Sequence, residues 1–200
     1  MKGKIIVFEG IDGAGGETQS KMLCDYLKSI GKPVEKFHYP DYFSPMGKLI
    51  KDFLYKRFEL KPEVQFLMFF ADFLKDSEKV KQLVDSGKTV IMDRYLTTTL
   101  AYQSLYGFSL KKALQIATLF DLRQPDIIIY LKISPETSYK RKLKEKSILD
   151  RHELDRAFQG KICKIYEKLI KGNVFGKWVV IDGEKSKEEV FAEVRKHLNL

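Results

Sequence analysis

The sequence predicts an α/β fold: a parallel five-stranded sheet covered by helices on both faces. Two observations predict it. Short, continuously apolar runs alternate with longer segments of helical pattern, as strands buried on both faces and joined by crossover helices do. Three polar clusters, Gly10–Thr18, Tyr39-Pro40-Asp41 and Asp93-Arg94-Tyr95, directly follow strand-like runs. Open parallel sheets bind their ligands beyond the carboxyl ends of the strands.

Lys4–Phe8 is an apolar run closing on Glu9-Gly10, the pattern of a buried strand. A glycine-rich turn follows, then a helical pattern to about Ile30 that Gly31 and Pro33 stop. Val34–Tyr39 reads as a weaker strand and Met46–Tyr55 as a helix. Pro62–Val84 is expected to be one long amphipathic helix, ended by Gly87. Thr89–Met92 is a strand closing on Asp93, and helices are expected over Thr97–Leu105 and Leu110–Asp121. The β-branched run Asp126–Leu131 is a strand. Pro135 opens a helix, the basic stretch Arg141–Lys146 leads towards another near Leu154–Ile170, and Trp178–Ile181 and Lys187–Leu198 are the last strand and helix.

A chain of 200 residues, 44% of them hydrophobic, is expected to form a single domain over 1–200 with a core of its own. Its net charge of +9 suggests anionic partners, or simply a lysine-rich surface. No basic-aromatic stripe or known nucleic-acid module accompanies the charge, so nucleic acid is not an expected partner. Cys24 and Cys163 have neither metal-ligand spacing nor a disulfide framework and read as small core residues in a reducing compartment. There is no charged-then-apolar leader and no apolar run approaching ~18 residues, so a cytoplasmic protein without membrane association is expected.

The first polar cluster carries chemistry. Strand, glycine-rich turn and helix start form an anion cradle, because glycines let successive N–H groups converge and the helix dipole adds positive potential. The candidate phosphate-binding residues are Gly10, Ile11, Asp12, Gly13, Ala14, Gly15, Gly16, Glu17 and Thr18. Against the pattern G-x-x-x-x-G-K-[ST], Gly10 and Gly15 supply the glycines, but Gly16 stands at the lysine and Glu17 at the hydroxyl residue.

Residues 8–19, Phe-Glu-Gly-Ile-Asp-Gly-Ala-Gly-x-x-Thr-Gln, closely resemble the phosphate loop of the thymidylate kinase family, which has Lys-Thr where this chain has Gly16-Glu17. Residues 93–103 resemble the family's D-R-Y-x-x-S-x-x-A-Y-Q, with Thr98 for serine. Tyr39-Pro40…Ser44-Pro45-Met46-Gly47 looks like F-P…T-P-x-G, Phe69-Phe70-Ala71-Asp72 like part of L-F-A-A-D-R, and Pro125-Asp126…Tyr130-Leu131…Pro135-Glu136 like P-D-L-x-x-Y-L-x-x-x-P-E. These matches run in order from residue 4 to about 183.

The resemblance implies a P-loop nucleoside monophosphate kinase fold with a lid at about 141–152. It further implies ATP and dTMP as substrates, Mg²⁺ as the metal, dTDP as product and a homodimer. It implies that Asp12 lies near the acceptor's sugar and phosphate, and that Arg94 bridges donor and acceptor phosphates, a place suited to a planar guanidinium. Asp93 would organise the metal. Tyr39 would border the dTMP site, Phe69 would stack on the pyrimidine, Thr98 and Thr99 would meet the base edge, and Tyr102 would crowd the sugar's 2′ position. Lys142, Lys144 and Lys146 fall at the steps where some members carry lid arginines, and Arg141 or Arg151 would supply the catalytic cation that a loop arginine, here Gly13, supplies elsewhere. The alternative for this stretch is a solvated charge run. Glu17 reads equally as a metal ligand or as a first-turn acid favoured by the helix dipole.

The departures set a competing reading. Without the loop lysine and with Glu17 beside it, the chain could be a nucleotide-binding protein with little turnover. Tyr42 and Phe73 occupy two further positions where the family carries arginines that read the acceptor, which opens a broader pyrimidine range.

Overall fold

The computed structural model describes residues 3–145, 150–152 and 155–200. Among them, five parallel strands form one sheet: β1 (Ile5–Glu9), β2 (Val34–His38), β3 (Thr89–Asp93), β4 (Ile127–Lys132) and β5 (Trp178–Asp182), in the order β2-β3-β1-β4-β5. β1 is central, with Phe8 beside Asp93 of β3 and Ile129 of β4. All five residues of β1 are buried, so both sheet faces are covered there. This is why the strand reads as an unbroken apolar run.

The helices are α1 (Gly16–Ser29), α2 (Pro45–Leu54), α3 (Pro62–Leu74), α4 (Ser77–Asp85), α5 (Leu96–Leu105), α6 (Leu110–Leu119), α7 (Pro135–Glu145), α8 (Arg156–Lys171) and α9 (Lys187–Leu198). α1 packs on β1, β2 and β3 and against α9, while α5 packs between α3 and α8. Cys24 is buried and Cys163 partly buried, and both are free thiols.

The single helix expected over Pro62–Val84 is two, α3 and α4, broken at Lys75-Asp76. Local bonds and one tertiary bond meet at the break. The Lys75 ammonium donates to the Asp72 carbonyl at 2.6 Å and to the Asp76 carboxylate at 2.8 Å. The Tyr39 hydroxyl donates to Asp76 at 3.1 Å. Helical pattern alone carries no trace of a tether to a residue on another element.

α5 begins without a local cap, since its N-cap residue Tyr95 offers no side-chain bond. Glu9, at the end of β1, takes that role. Its carboxylate accepts from the backbone N–H groups of Tyr95 and Thr98, both at 3.1 Å, and from the hydroxyls of Thr97, Thr98 and Tyr166. Burial raises the Glu9 pKa, while the Thr97, Thr98 and Tyr166 hydroxyls and the Arg94 charge pull against it. The carboxylate thus ties β1, α5 and α8 together beneath the strand ends.

Candidate active site

The loop between β1 and α1 lies in a cleft of about 670 Å³ that residues 10–18 line together with the ends of β2 and β3, α7 and the start of α9. Gly15 caps α1 in the left-handed region (φ 98°), where a side chain would be strained. α1 has no side-chain cap, so its first-turn amides are the groups a helix leaves for an anion.

Asp12 and Arg94 form the centre of the site. An Arg94 nitrogen donates to Asp12 Oδ1 at 2.6 Å, and a second donates to the Gly10 carbonyl at 3.2 Å. Arg94 is itself left-handed (φ 66°), held by its N–H to the Phe8 carbonyl at 3.0 Å. Such strain costs about 1–3 kcal/mol and marks a place where the side chain's aim matters. Asp12 Oδ2 accepts from Tyr102 Oη and Gln159 Nε2, each at 3.1 Å. Burial would raise the Asp12 pKa, but Arg94, then His152, Lys142 and the Tyr102 bond, outweigh it and hold the carboxyl below its ordinary value.

The two arginines of the basic stretch part company. Arg141 donates to the Gly13 carbonyl at 3.1 Å and the Gly183 carbonyl at 2.9 Å, clamping the loop to the turn after β5. Arg151 instead pairs with Glu59 at 2.8 Å, bonds the Phe58 carbonyl at 3.2 Å and lies over the Phe53 ring at 3.9 Å. It is absent from the described lining of the cleft. Here the Phe53 face and Glu59 hold the Arg151 guanidinium against α2, apart from the cleft that Arg141 reaches. Lys142 and Lys144 line the cleft, Lys142 paired with Glu145 on its own helix. Lys146 lies outside the described residues. The first part of the expected lid, 141–145, is the end of α7.

On the far side of Arg94 is a smaller pocket of about 70 Å³, lined by Phe69, Thr98, Thr99, Tyr102, Gln103 and His152 among others. Thr98 lines the pocket and donates its hydroxyl to Glu9 at 2.5 Å, so what it still offers a base edge is an acceptor oxygen. Tyr39 borders the cleft, but its ring is buried against Phe37 and Phe73 and its hydroxyl is spent on Asp76. Phe73 closes against Tyr39, Phe70 and Tyr95 as core.

Asp93 and Glu17 both line the cleft. Asp93 Oδ2 is 2.9 Å from His38 Nδ1. A Cβ on Gly16 would stand 2.5 Å from Asp93 Oδ1, so the absent side chain leaves room that the carboxylate uses. Among the described residues no group of three or more metal-ligating side chains gathers. Two carboxylates at a phosphate cradle do match Mg²⁺, which is held by one or two carboxylates plus substrate phosphates.

Several site residues escaped the sequence reading. Glu9 had a signal, a carboxylate ending a buried strand. His38 ends the second strand, which is only partly buried and so carried no such signal. His152 and Gln159 had none, since each acts through contacts more than 40 residues away: His152 Nε2 is 3.2 Å from the Tyr106 hydroxyl, and Gln159 reaches Asp12. Lys185 and Lys187 line the cleft beside Gly183, after β5.

A family model described as Thymidylate kinase matches residues 8–194. The chain is 34% identical to the thymidylate kinase of Chlorobium luteolum across 98% of this chain and 96% of that protein. It is 28% identical to human thymidylate kinase across 97% and 89%. Its fold superposes on the thymidylate kinase structure from Candida albicans with a TM-score of 0.77 at 23% identity, covering 99% and 92% of the two chains.

Proposed function

The chain belongs to the thymidylate kinase family, and we propose that it transfers the γ-phosphoryl group of ATP to dTMP, giving dTDP. One observation carries this reading: Asp12 and Arg94 line both the phosphate-loop cleft and the smaller pocket. A donor in the first and an acceptor in the second would therefore meet at one guanidinium.

The attacking oxygen of a nucleoside monophosphate is already anionic, so the site needs no general base. It needs alignment of two polyanions and neutralisation of the charge between them. Arg94 supplies a planar fork at the junction, and Asp12 fixes its direction. The loop amides cradle the donor phosphates, and Arg141 holds the loop to Gly183. Lys142, Lys144 and Lys146 stand in for the ammonium that Gly16 removes. Phe69 and Thr99 contact the base, and Tyr102, held on Asp12, crowds the sugar. Asp93 and Glu17, which line the cleft, would hold Mg²⁺, and the ion would supply charge neutralisation of the donor phosphates.

We further propose one kinase domain over 1–200, with 141–152 as its lid, working in the cytoplasm. No helix among the described residues is long and apolar enough to cross a membrane. Val64 and Leu67 of α3, with Leu119 of α6 and the adjacent Phe120, leave large apolar side chains exposed, Leu119 at 79%. A two-fold dimer through these helices would cover them. The matched relatives are named as kinases, and the reading without turnover rests on Gly16 and Glu17 alone.

The test is a coupled assay of ADP release with pure protein, ATP, dTMP and Mg²⁺. Turnover at about 1 s⁻¹ or faster is expected. Replacing Lys142, Lys144 and Lys146 together with alanine should lower kcat at least about tenfold, the loss of one phosphate cation. Undiminished turnover in that variant would remove the lysines from the mechanism, and no dTDP from the parent protein would end the proposal.

A further inference from the structure

We infer that Lys75 and Asp72 are positioning residues for the acceptor: they hold the loop between β2 and α2 so that Pro40 and Tyr42 stand in the wall between the two pockets. The inference rests on the smaller pocket being the acceptor site, as proposed above.

Among the described residues, Asp12, Pro40, Tyr42, Arg94 and Asp150 line both the cleft and the smaller pocket. An acceptor phosphate has to reach past these residues to meet the donor. Asp12 and Arg94 are fixed by the bonds between them and by those to Gly10, Tyr102 and Gln159. Pro40 and Tyr42 belong to a connecting loop, and what holds that loop sets where they stand.

The loop is tied to α3 through Asp72. Asp41, between the two lining residues, donates its N–H to Asp72 Oδ2 at 2.9 Å. The Ser44 hydroxyl, which donates to the Asp41 carbonyl at 2.9 Å, lies 3.3 Å from Asp72 Oδ1. Ser44 also accepts from the Gly47 N–H as the cap of α2, so the same anchor fixes the start of that helix.

Asp72 is 1% exposed, and a carboxylate buried to that degree needs a cation. Lys75 supplies it. Its ammonium is 3.1 Å from Asp72, 2.8 Å from Asp76 and 3.5 Å from Asp41. It also stands 5.0 Å from the centre of the Tyr39 ring, whose hydroxyl donates to Asp76. One ammonium at the junction of α3 and α4 therefore meets both Tyr39 and Asp41 on either side of Pro40.

Neither Lys75 nor Asp72 is in the described lining of either pocket, so both act through the loop. The effect falls on the acceptor side. The donor cradle is made by residues 10–18 and clamped by Arg141, in a cleft of about 670 Å³. The smaller pocket is about 70 Å³, and a shift of Tyr42 by ~1 Å changes its shape far more.

The experiment measures kcat and KM for dTMP and for ATP, with melting temperature, in the parent protein, Lys75→Met, Lys75→Arg, Asp72→Asn and the double variant of Asp72→Asn with Lys75→Met. Lys75→Met leaves Asp72 buried without its cation. It should raise the KM for dTMP about 5- to 100-fold, while the KM for ATP changes by less than about threefold. Lys75→Arg keeps the cation and should stay within about threefold of the parent. Asp72→Asn turns an amide towards the ammonium, and adding Lys75→Met should ease that loss, a non-additive response. Should Lys75→Met fail to fold, Lys75→Gln is read by the same limits. A melting temperature that falls while the KM for dTMP moves less than about fivefold shows a structural role only and overturns the inference. So do equal rises for dTMP and ATP, a Lys75→Arg as impaired as Lys75→Met, or additive losses in the double variant, and in each case the kinase reading stands. If the parent does not phosphorylate dTMP, the kinase reading fails. Calorimetric titration with dTMP then decides: binding that weakens at least about fivefold in Lys75→Met and is kept in Lys75→Arg upholds the positioning, and any other result, including no binding by the parent, overturns it.

Discussion

Replacing Glu9 with glutamine tests the claim that a carboxylate on β1 holds α5 in place. Five donors converge on its two oxygens. Oε1 takes the Tyr95 and Thr98 backbone N–H groups at 3.1 Å and the Thr97 hydroxyl at 2.5 Å. Oε2 takes the Thr98 hydroxyl at 2.5 Å and the Tyr166 hydroxyl at 2.8 Å. Two backbone N–H groups cannot accept, so a glutamine must keep its oxygen on their side and turn its NH₂ towards the two hydroxyls. The hydroxyls must then rotate, and every surviving bond changes from charge-assisted to neutral. A bond to a charged group contributes about 1.5–3 kcal/mol and a neutral one about 0.5–1.5. Allowing for the coupling of bonds that share one carboxylate, Glu9→Gln should cost about 2–4 kcal/mol. Urea unfolding at neutral pH measures it, with a fall in melting temperature of about 5–15 °C expected for a chain of this length. Because Thr99, Tyr102 and Gln103 ride on α5, kcat/KM for dTMP should fall further than ATP affinity does. A loss below about 0.5 kcal/mol, within the range of an ordinary surface change, would refute the account.

Two further outcomes follow from the site. Burial, and after it the Arg151 and Arg94 charges, lowers the His152 pKa from 6.5 to about 4, with Asp12 pulling the other way. The unfolded chain therefore binds the proton first as pH falls. The His152 contribution is fully present above about pH 6.5 and is lost towards pH 4, up to about 3 kcal/mol. Urea titrations from pH 7.5 to 4 should show a shallower decline in His152→Phe, and parallel declines would contradict this. Arg141→Ala removes the bonds to Gly13 and Gly183 and should raise the KM for ATP about 10- to 100-fold, a loss of about 1.4–2.7 kcal/mol that matches one charge-assisted bond, the two sharing one guanidinium. Steady-state kinetics at saturating dTMP would show it, and an unchanged KM would detach the clamp from ATP binding.

What could be read from sequence and what could not divide along the range of the interaction. β1 and β4 were legible because a strand buried on both faces has to be apolar throughout. Loop residues were legible because the turn needs glycine where φ reaches 98° at Gly15. At the break, Asp76 accepts from Tyr39, 37 residues away, a contact that a periodicity running through Lys75-Asp76 does not register. Arg141 and Arg151 look alike in a basic stretch, and only packing separates a loop clamp from a cation seated on Phe53. Thr98 sits in a motif that suggests base contact, and the motif says nothing of Glu9, 89 residues earlier, to which the hydroxyl donates its proton.

The missing loop lysine is best understood with Asp93. In this chain the carboxylate stands where any side chain on residue 16 would begin, 2.5 Å from the position of a Cβ, and is bonded to His38. Glycine at 16 and the aim of Asp93 are therefore one arrangement, and a lysine could not be restored there without moving the carboxylate. The positive charge that would have come from residue 16 is distributed instead around the cleft rim: Arg94 after β3, Arg141, Lys142 and Lys144 on α7, and Lys185 and Lys187 at the start of α9. A single fixed ammonium acts before the ligand arrives, whereas cations on separate elements act together once a polyanion draws them in. Catalysis by this chain should therefore depend more on α7 and α9 coming together over bound ATP than on the loop alone.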